Sequence, residues 1–127
     1  MALFRKFITK KGTIILAGKN AQNNEELVAQ IKPNEFVFHT EKPGSSFVNI
    51  KGKPKLGDIK FAAIICARYS QDWRDNKSDV VVHKFRGKDI YKDKKMKTGT
   101  FGVKKFKKIK IRKKDIQKYL SSITKNK

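Results

Sequence analysis

The chain has 127 residues, with 32 lysines and arginines against 11 acids, a net charge of +21. That length suits one domain with a modest core of its own, and an apolar content of 38 % that includes nine Phe excludes a wholly disordered chain. Cys66 is the single cysteine and neither His39 nor His83 sits in a ligand pair, so an internal disulfide and a thiolate zinc cluster are excluded and no cofactor or metal is expected.

The start of the chain reads as a hairpin. Phe4, Phe7 and Ile8 lead into Lys10-Lys11-Gly12, and Thr13 to Ala17 returns. A helix is predicted over about 21–31, capped by Asn20, with Glu25 and Glu26 early, Leu27, Val28 and Ile31 on one face, and Pro33 as its stop. Phe36 to His39 reads as a buried strand, Lys42-Pro43-Gly44 as a turn, and Ser46 to Ile50 as the returning strand. A second helix is predicted over about 58–72; Ala62, Ala63, Cys66, Ala67 and Ser70 would let it approach a sheet closely, and the polar stretch from Asp72 to Lys77 ends it. Val80 to Val82 is a strand, with Asp89 to Lys92 as its hairpin partner after Gly87. Thr100 to Val103 and Phe106 to Ile111 read as extended. In the latter, Ile109 and Ile111 point one way while Lys108, Lys110 and Arg112 point the other. A last helix, about 114–123, gathers Ile116, Tyr119, Leu120 and Ile123 on one face. The expected fold is therefore α+β: a single domain with a mixed, largely antiparallel sheet packed by two or three helices. Residues 1–112 would form its body and 113–127 a basic C-terminal helix or tail.

Charge is concentrated late in the chain, where residues 92–114 hold twelve basic side chains and one acid, Asp93. A body at +21 repels itself, and an acidic partner relieves that cost. The alternation at 108–112 sets three cations on one solvent face, with Lys104, Lys105, Lys107, Lys113 and Lys114 around them, a spacing suited to a phosphate backbone. Lysine far outnumbers arginine, which favours point charges on phosphates over bidentate reading of bases. The segment Glu41 to Ser46 could aim N–H groups and hydroxyls at a phosphate, or form an ordinary Pro-Gly turn. His39 could serve as a general base oriented by Glu35 or Glu41, or be structural; Tyr69 and Trp73 could stack bases or pack. No apolar run reaches the roughly 18–20 residues of a membrane-spanning helix, and no signal-peptide pattern precedes the early charges, so a cytoplasmic location is expected.

Several blocks of residues resemble a known family. Gly18-Lys19-Asn20-Ala21-Gln22-Asn23-Asn24 with Glu25, Glu26 and Leu27 is similar to the G-R-N-x-x-Q-N opening of the NFACT RNA-binding domain. Glu35 to Thr40 followed by Pro43 to Ile50 resembles its D-x-W-x-H and P-G-S-H-V-x-I segments, and Ala62-Ala63 with Ala67-Arg68-Tyr69-Ser70 its A-A and A-x-Y-S helix. Val80 to Val82, Ile90 to Lys92 and Thr98-Gly99 resemble the later blocks. The chain departs from the family at Val37 for the Trp, Glu35 for the Asp, Ser46 for the second histidine and Thr98 for the Pro.

The resemblance implies the stand-alone form of a domain found in larger proteins of ribosome-associated quality control, which act on stalled large subunits carrying peptidyl-tRNA. The expected function is that of a non-enzymatic RNA-binding module, with tRNA or large-subunit rRNA and the ribosome as partners and no membrane. Lys104, Lys105, Lys107, Lys108, Lys110 and Arg112 would grip phosphates, and Lys19, Asn20, Gln22, Asn24, His39, Lys42, Gly44, Ser45, Ser46 and Arg68 would supply finer contacts. Three other readings remain open on the residues alone: a DNA-binding or DNA-sensing protein, a hydrolase or nuclease centred on His39, and a membrane-surface binder using the last helix.

Overall fold

Consecutive apolar residues in short strands, as in Ile14–Ala17 and Phe36-Val37-Phe38, call for cover on both faces of a sheet, and the computed structural model, which describes residues 3–125, has helices on one face and partial cover on the other. Six strands, β1 (Arg5–Ile8), β2 (Ile14–Ala17), β3 (Phe36–Thr40), β4 (Val48–Ile50), β5 (Val80–Arg86) and β8 (Lys107–Ile111), pair in the order β1-β2-β4-β3-β5-β8. Among the described residues every pairing is antiparallel. The hairpin and turn glycines take the expected left-handed conformation, Gly12 at φ +85° and Gly44 at φ +88°.

One face carries the main core. Ile15, Phe38, Val48, Ile50, Val80, Val82 and Ile111 pack against Ala62, Ala63, Ile65, Cys66 and Ala67 of α2 (Asp58–Arg68). The small side chains of α2 permit this close approach. Burial raises the pKa of the Cys66 thiol far above its ordinary value, which leaves it an inert packing residue. The C-terminal helix α4 (Lys113–Lys125) docks on the same layer through Ile116, which is fully buried, and through Tyr119 and Leu120. Burying Ile116 alone contributes about 1.5–3 kcal/mol. The apolar stripe considered for a membrane surface is thus largely spent on the core, and no described helix is long and apolar enough to cross a membrane. Residues 126–127 of the expected tail lie outside the described residues.

The other face is covered in part by α1 (Ala21–Ala29) and by a separate two-stranded ribbon, β6 (Ile90–Tyr91) with β7 (Gly102–Val103). Leu27, Val37, Phe47 and Phe85 form this second cluster, joined by Val28, Ile31, Ile90, Phe101 and Val103.

Three expectations need correction. The second helix does not run to Asp72: it ends at Arg68, and α3 (Gln71–Asn76) starts anew where a polar break was expected. Ser70 is the cause. Its hydroxyl accepts from Trp73 N–H and caps α3, while Ser70 bridges Ser45 across the β3–β4 turn. With this split the described residues form four α-helices. Asp89 to Lys92 is not the hairpin partner of β5, whose flanks are already taken by β3 and β8. The returning strand β4 starts at Val48 rather than Ser46, because Ser46 N–H donates to Tyr69 C=O and Phe47 pairs with Gly18 instead.

Candidate nucleic-acid interface

The strand end of β3, the start of α1 and the loop of the β6–β7 ribbon converge on one cleft of about 670 Å³. His39, His83 and Phe85 line it from the sheet. Lys19, Asn20, Ala21 and Asn24 line it from the N-cap and first turn of α1, Gly44, Ser45 and Ser46 from the β3–β4 turn, and Thr98 to Phe101 from the ribbon loop. Arg5, Lys19 and Arg74 supply positive charge, and Glu41 is the one acid on the wall.

Much of the asparagine-rich motif holds the wall together. Asn20 Oδ1 accepts from Asn23 N–H at 2.8 Å and caps α1, and Asn23 Oδ1 accepts from Lys19 N–H. Asn24 is buried, and its Oδ1 accepts from Phe47 N–H. Ser46 is also buried, and its hydroxyl donates to Gly18 C=O at 2.6 Å, a carbonyl that Arg5 also reaches at 2.9 Å. A Cβ at Gly18 would collide with Asn24 Oδ1, so glycine is required by the close approach of the two segments. Asn24→Ala leaves the buried Phe47 N–H unpaired, and chemical denaturation is expected to show a loss of about 1–3 kcal/mol. A variant as stable as the parent would assign the locking role elsewhere.

The ribbon loop is held down by a second set of bonds. Lys92 Nζ reaches Glu25 Oε2 at 2.6 Å and the carbonyls of Lys97 and Thr100, while Gly99 N–H donates to the same carboxylate oxygen. These contacts keep the Glu25 carboxyl below its ordinary pKa, the Lys92 hydrogen bond first among them.

His39 is held in place at the cleft wall. Its Nδ1 lies 2.8 Å from Thr40 C=O and therefore carries the proton, and its ring packs on Phe47 at 4.5 Å. Burial pushes its pKa down, the Thr40 contact raises it in part, and His83 across the strand pair lowers it again. Neither expected carboxylate orients it: Glu35 is bound by Lys51 and backbone N–H groups, and Glu41 faces His83 and Lys108.

The remaining residues singled out in the sequence lie outside the cleft. Gln22 is exposed on α1. Lys42 pairs with Asp72 at 3.5 Å, and Arg68 lies against the Tyr69 ring at 4.5 Å. Trp73, 4 % exposed, belongs to the main core; Tyr69, by contrast, lines the cleft, and its ring carries both Arg5 and Arg68.

The late lysines gather at the open edge formed by β8. Ile111 is buried and Ile109 partly so, while Lys108 and Lys110 are exposed on the sheet face that carries His83 and His39. Arg112 is exposed just beyond them. Lys108 reaches Glu41 at 3.4 Å and Lys110 reaches Asp79 at 3.8 Å. The Lys108 bond, with His83 adding to it, holds the Glu41 carboxyl below its usual pKa, so the acid on the cleft wall is matched by a cation from β8. Lys104 and Lys105 lie exposed in the link from β7, and Lys105 and Lys107 border a second hollow of about 360 Å³ with Lys84, Arg86 and Lys88.

Arg5, Arg74, His83 and Phe106 also line this region, although none of them is among the contacts expected from the sequence. Phe106 had a visible signal, an aromatic set inside a lysine run. The other three are brought in only by the tertiary fold.

No curated protein matches the chain. A solved structure, the C-terminal of the fibronectin/fibrinogen-binding protein from Streptococcus suis, is similar with a TM-score of 0.77 and 26 % identity. The match covers 86 % of this chain and 45 % of that one, so the chain spans less than half of that structure's length. With the sheet, the asparagine-capped α1 and the Pro-Gly-Ser turn in place, residues 3–105 match the family described as the NFACT protein RNA binding domain, and the chain belongs to that family.

Proposed function

We propose that this chain is a non-enzymatic RNA-binding module of the cytoplasm that acts on tRNA or large-subunit rRNA, in the quality control of stalled large ribosomal subunits. Family membership supports RNA as the partner class. The observation that carries the reading further is the continuity of charge. The exposed row of Lys108, Lys110 and Arg112 meets the cleft through the Lys108–Glu41 pair, and Lys104, Lys105 and Lys107 extend it around the edge. A polyanion lying along β8 would pass the cleft mouth, where Lys19, Asn20 and Ser45 stand ready for finer contacts.

The His39 hydrolase reading lacks the orienting carboxylate it invoked, because Glu35 and Glu41 are bound elsewhere; turnover that disappears in His39→Ala with the fold intact would revive it. Crosslinking to RNA in cells followed by sequencing tests the proposal. Enrichment of tRNA and large-subunit rRNA is expected; recovery of neither defeats it. In competition at equal charge, tRNA is expected to displace duplex DNA, and the reverse order would favour the DNA-binding reading.

A further inference from the structure

Phe106 is 45 % exposed, an unusual place for a phenyl ring, and it is not loosely held. Its ring stacks on His83 with centroids 4.0 Å apart and planes 14° from parallel. The backbone on either side is pinned: Lys104 N–H donates to Asp89 C=O at 2.8 Å, and Lys107 begins the pairing of β8 with Lys84. His83 is itself fixed in β5, with its Nε2 buried and 3.5 Å from the Glu41 carboxylate. One face of the phenyl ring is therefore covered by the imidazole, and its exposed area lies on the opposite face and edge.

The position of the ring matters as much as its exposure. Phe106 borders both the cleft and the second hollow, so it stands on the saddle between them. Lys104-Lys105 precede it and Lys107-Lys108 follow it. A rigid aromatic face flanked by ammonium groups is the combination that holds an unstacked base and its neighbouring phosphates. An uninterrupted duplex keeps its bases stacked on one another and offers nothing to such a ring.

We propose that Phe106, backed by His83, is a stacking platform for an unpaired nucleobase, with Lys105 and Lys107 on the adjacent phosphates. The module then prefers looped or single-stranded RNA to continuous duplex. This proposal rests on the RNA-binding reading above and adds the class of RNA and the residue that selects it.

The test compares the full chain with Phe106→Ala and Phe106→Trp. The probes are a hairpin RNA with 2-aminopurine in an unpaired loop and a continuous RNA duplex of equal charge, each titrated at several salt concentrations. The parent is expected to bind the loop RNA more tightly and to change the 2-aminopurine fluorescence. Phe106→Ala is expected to lose roughly 5- to 150-fold in affinity for the loop RNA, with duplex affinity and the salt slope unchanged. Phe106→Trp is expected to retain the preference. Phe106→Leu keeps an apolar contact on His83 without an aromatic face and is expected to follow the alanine variant; it takes that variant's place if alanine impairs folding. Equal loss on both RNAs, or no loss on either, overturns the platform while RNA binding stands. A parent that binds neither RNA overturns both readings.

Discussion

A variant with Lys108, Lys110 and Arg112 all changed to glutamine is expected to keep its fold and lose most of its RNA affinity. The three side chains are exposed, and their ion pairs with Glu41 and Asp79 are long and solvated, so stability depends little on them. Binding is different, because each phosphate neutralised releases a condensed counterion. Three lost contacts lower the log–log salt slope by roughly 2 to 3 units in magnitude, at about 0.7 per single-strand contact and 0.9 per duplex contact. At 0.1 M salt that corresponds to roughly a 100- to 500-fold loss of affinity, shrinking towards none near 1 M. Glutamine at Lys10, Lys11 and Lys53, exposed positions in the β1–β2 turn and the loop after β4, serves as the control and is expected to change the slope far less. If both triple variants shift the slope equally, the charge acts as a diffuse cloud and the β8 row has no special role.

The largest effect on stability is expected from Glu35→Ala. Glu35 is buried between the start of β3 and the end of β4. Its Oε1 accepts from Lys51 Nζ at 2.7 Å and Lys32 N–H at 3.0 Å, and its Oε2 accepts from Gly52 N–H at 2.9 Å. Lys51 reaches on to the Gln30 side chain, whose amide donates to Asn49 inside the sheet. Removing the carboxylate takes the charged partner from the Lys51 ammonium, which keeps only Gln30 and water, and leaves the Lys32 and Gly52 N–H groups without their acceptor. Chemical denaturation is expected to show a loss near the lower end of roughly 3–5 kcal/mol, because Lys51 remains a quarter exposed. Burial pushes the Glu35 carboxyl up, but the Lys51 and backbone hydrogen bonds outweigh it, and its pKa lies below the ordinary 4.5. The folded-state value is depressed, so this stability is fully present above pH 4.5 and is lost as the pH falls through the lower folded value. The gap between parent and variant should therefore narrow on acidification below 4.5; a gap that widens there would contradict the assignment.

How much of this could be read from residues alone depended on the range of the interactions. The first hairpin, the Asn20 cap, β3 and the alternation in β8 are local patterns, and they stand where the sequence placed them. The errors arose where a distant partner decides. A continuous helix through Tyr69 and Ser70 obeys local propensity, but Ser70 is recruited by Ser45 and turned into a cap. Ile90 and Tyr91 looked like a hairpin partner for β5 because they follow it closely; both flanks of β5 were already occupied by strands from far along the chain. The same holds for the candidate site. The lysine run is visible in one dimension, whereas the pairing of His39 with His83, or a cleft wall shared by Arg74 and Lys19, exists only after folding. Part of the motif that marks the family, Asn24 and Ser46 above all, turns its polar atoms inward to hold α1 against the β3–β4 segment. A strong sequence signal there reports construction as much as contact.

The sheet ends at β8 with one side of that strand unpaired by any described strand. Such a rim invites lateral addition of a strand from another molecule, the first step towards aggregation. Alignment of two copies there would set like-charged lysine rows against each other at a few ångströms. The ammonium groups suited to a polyanion thus also guard the rim against self-association.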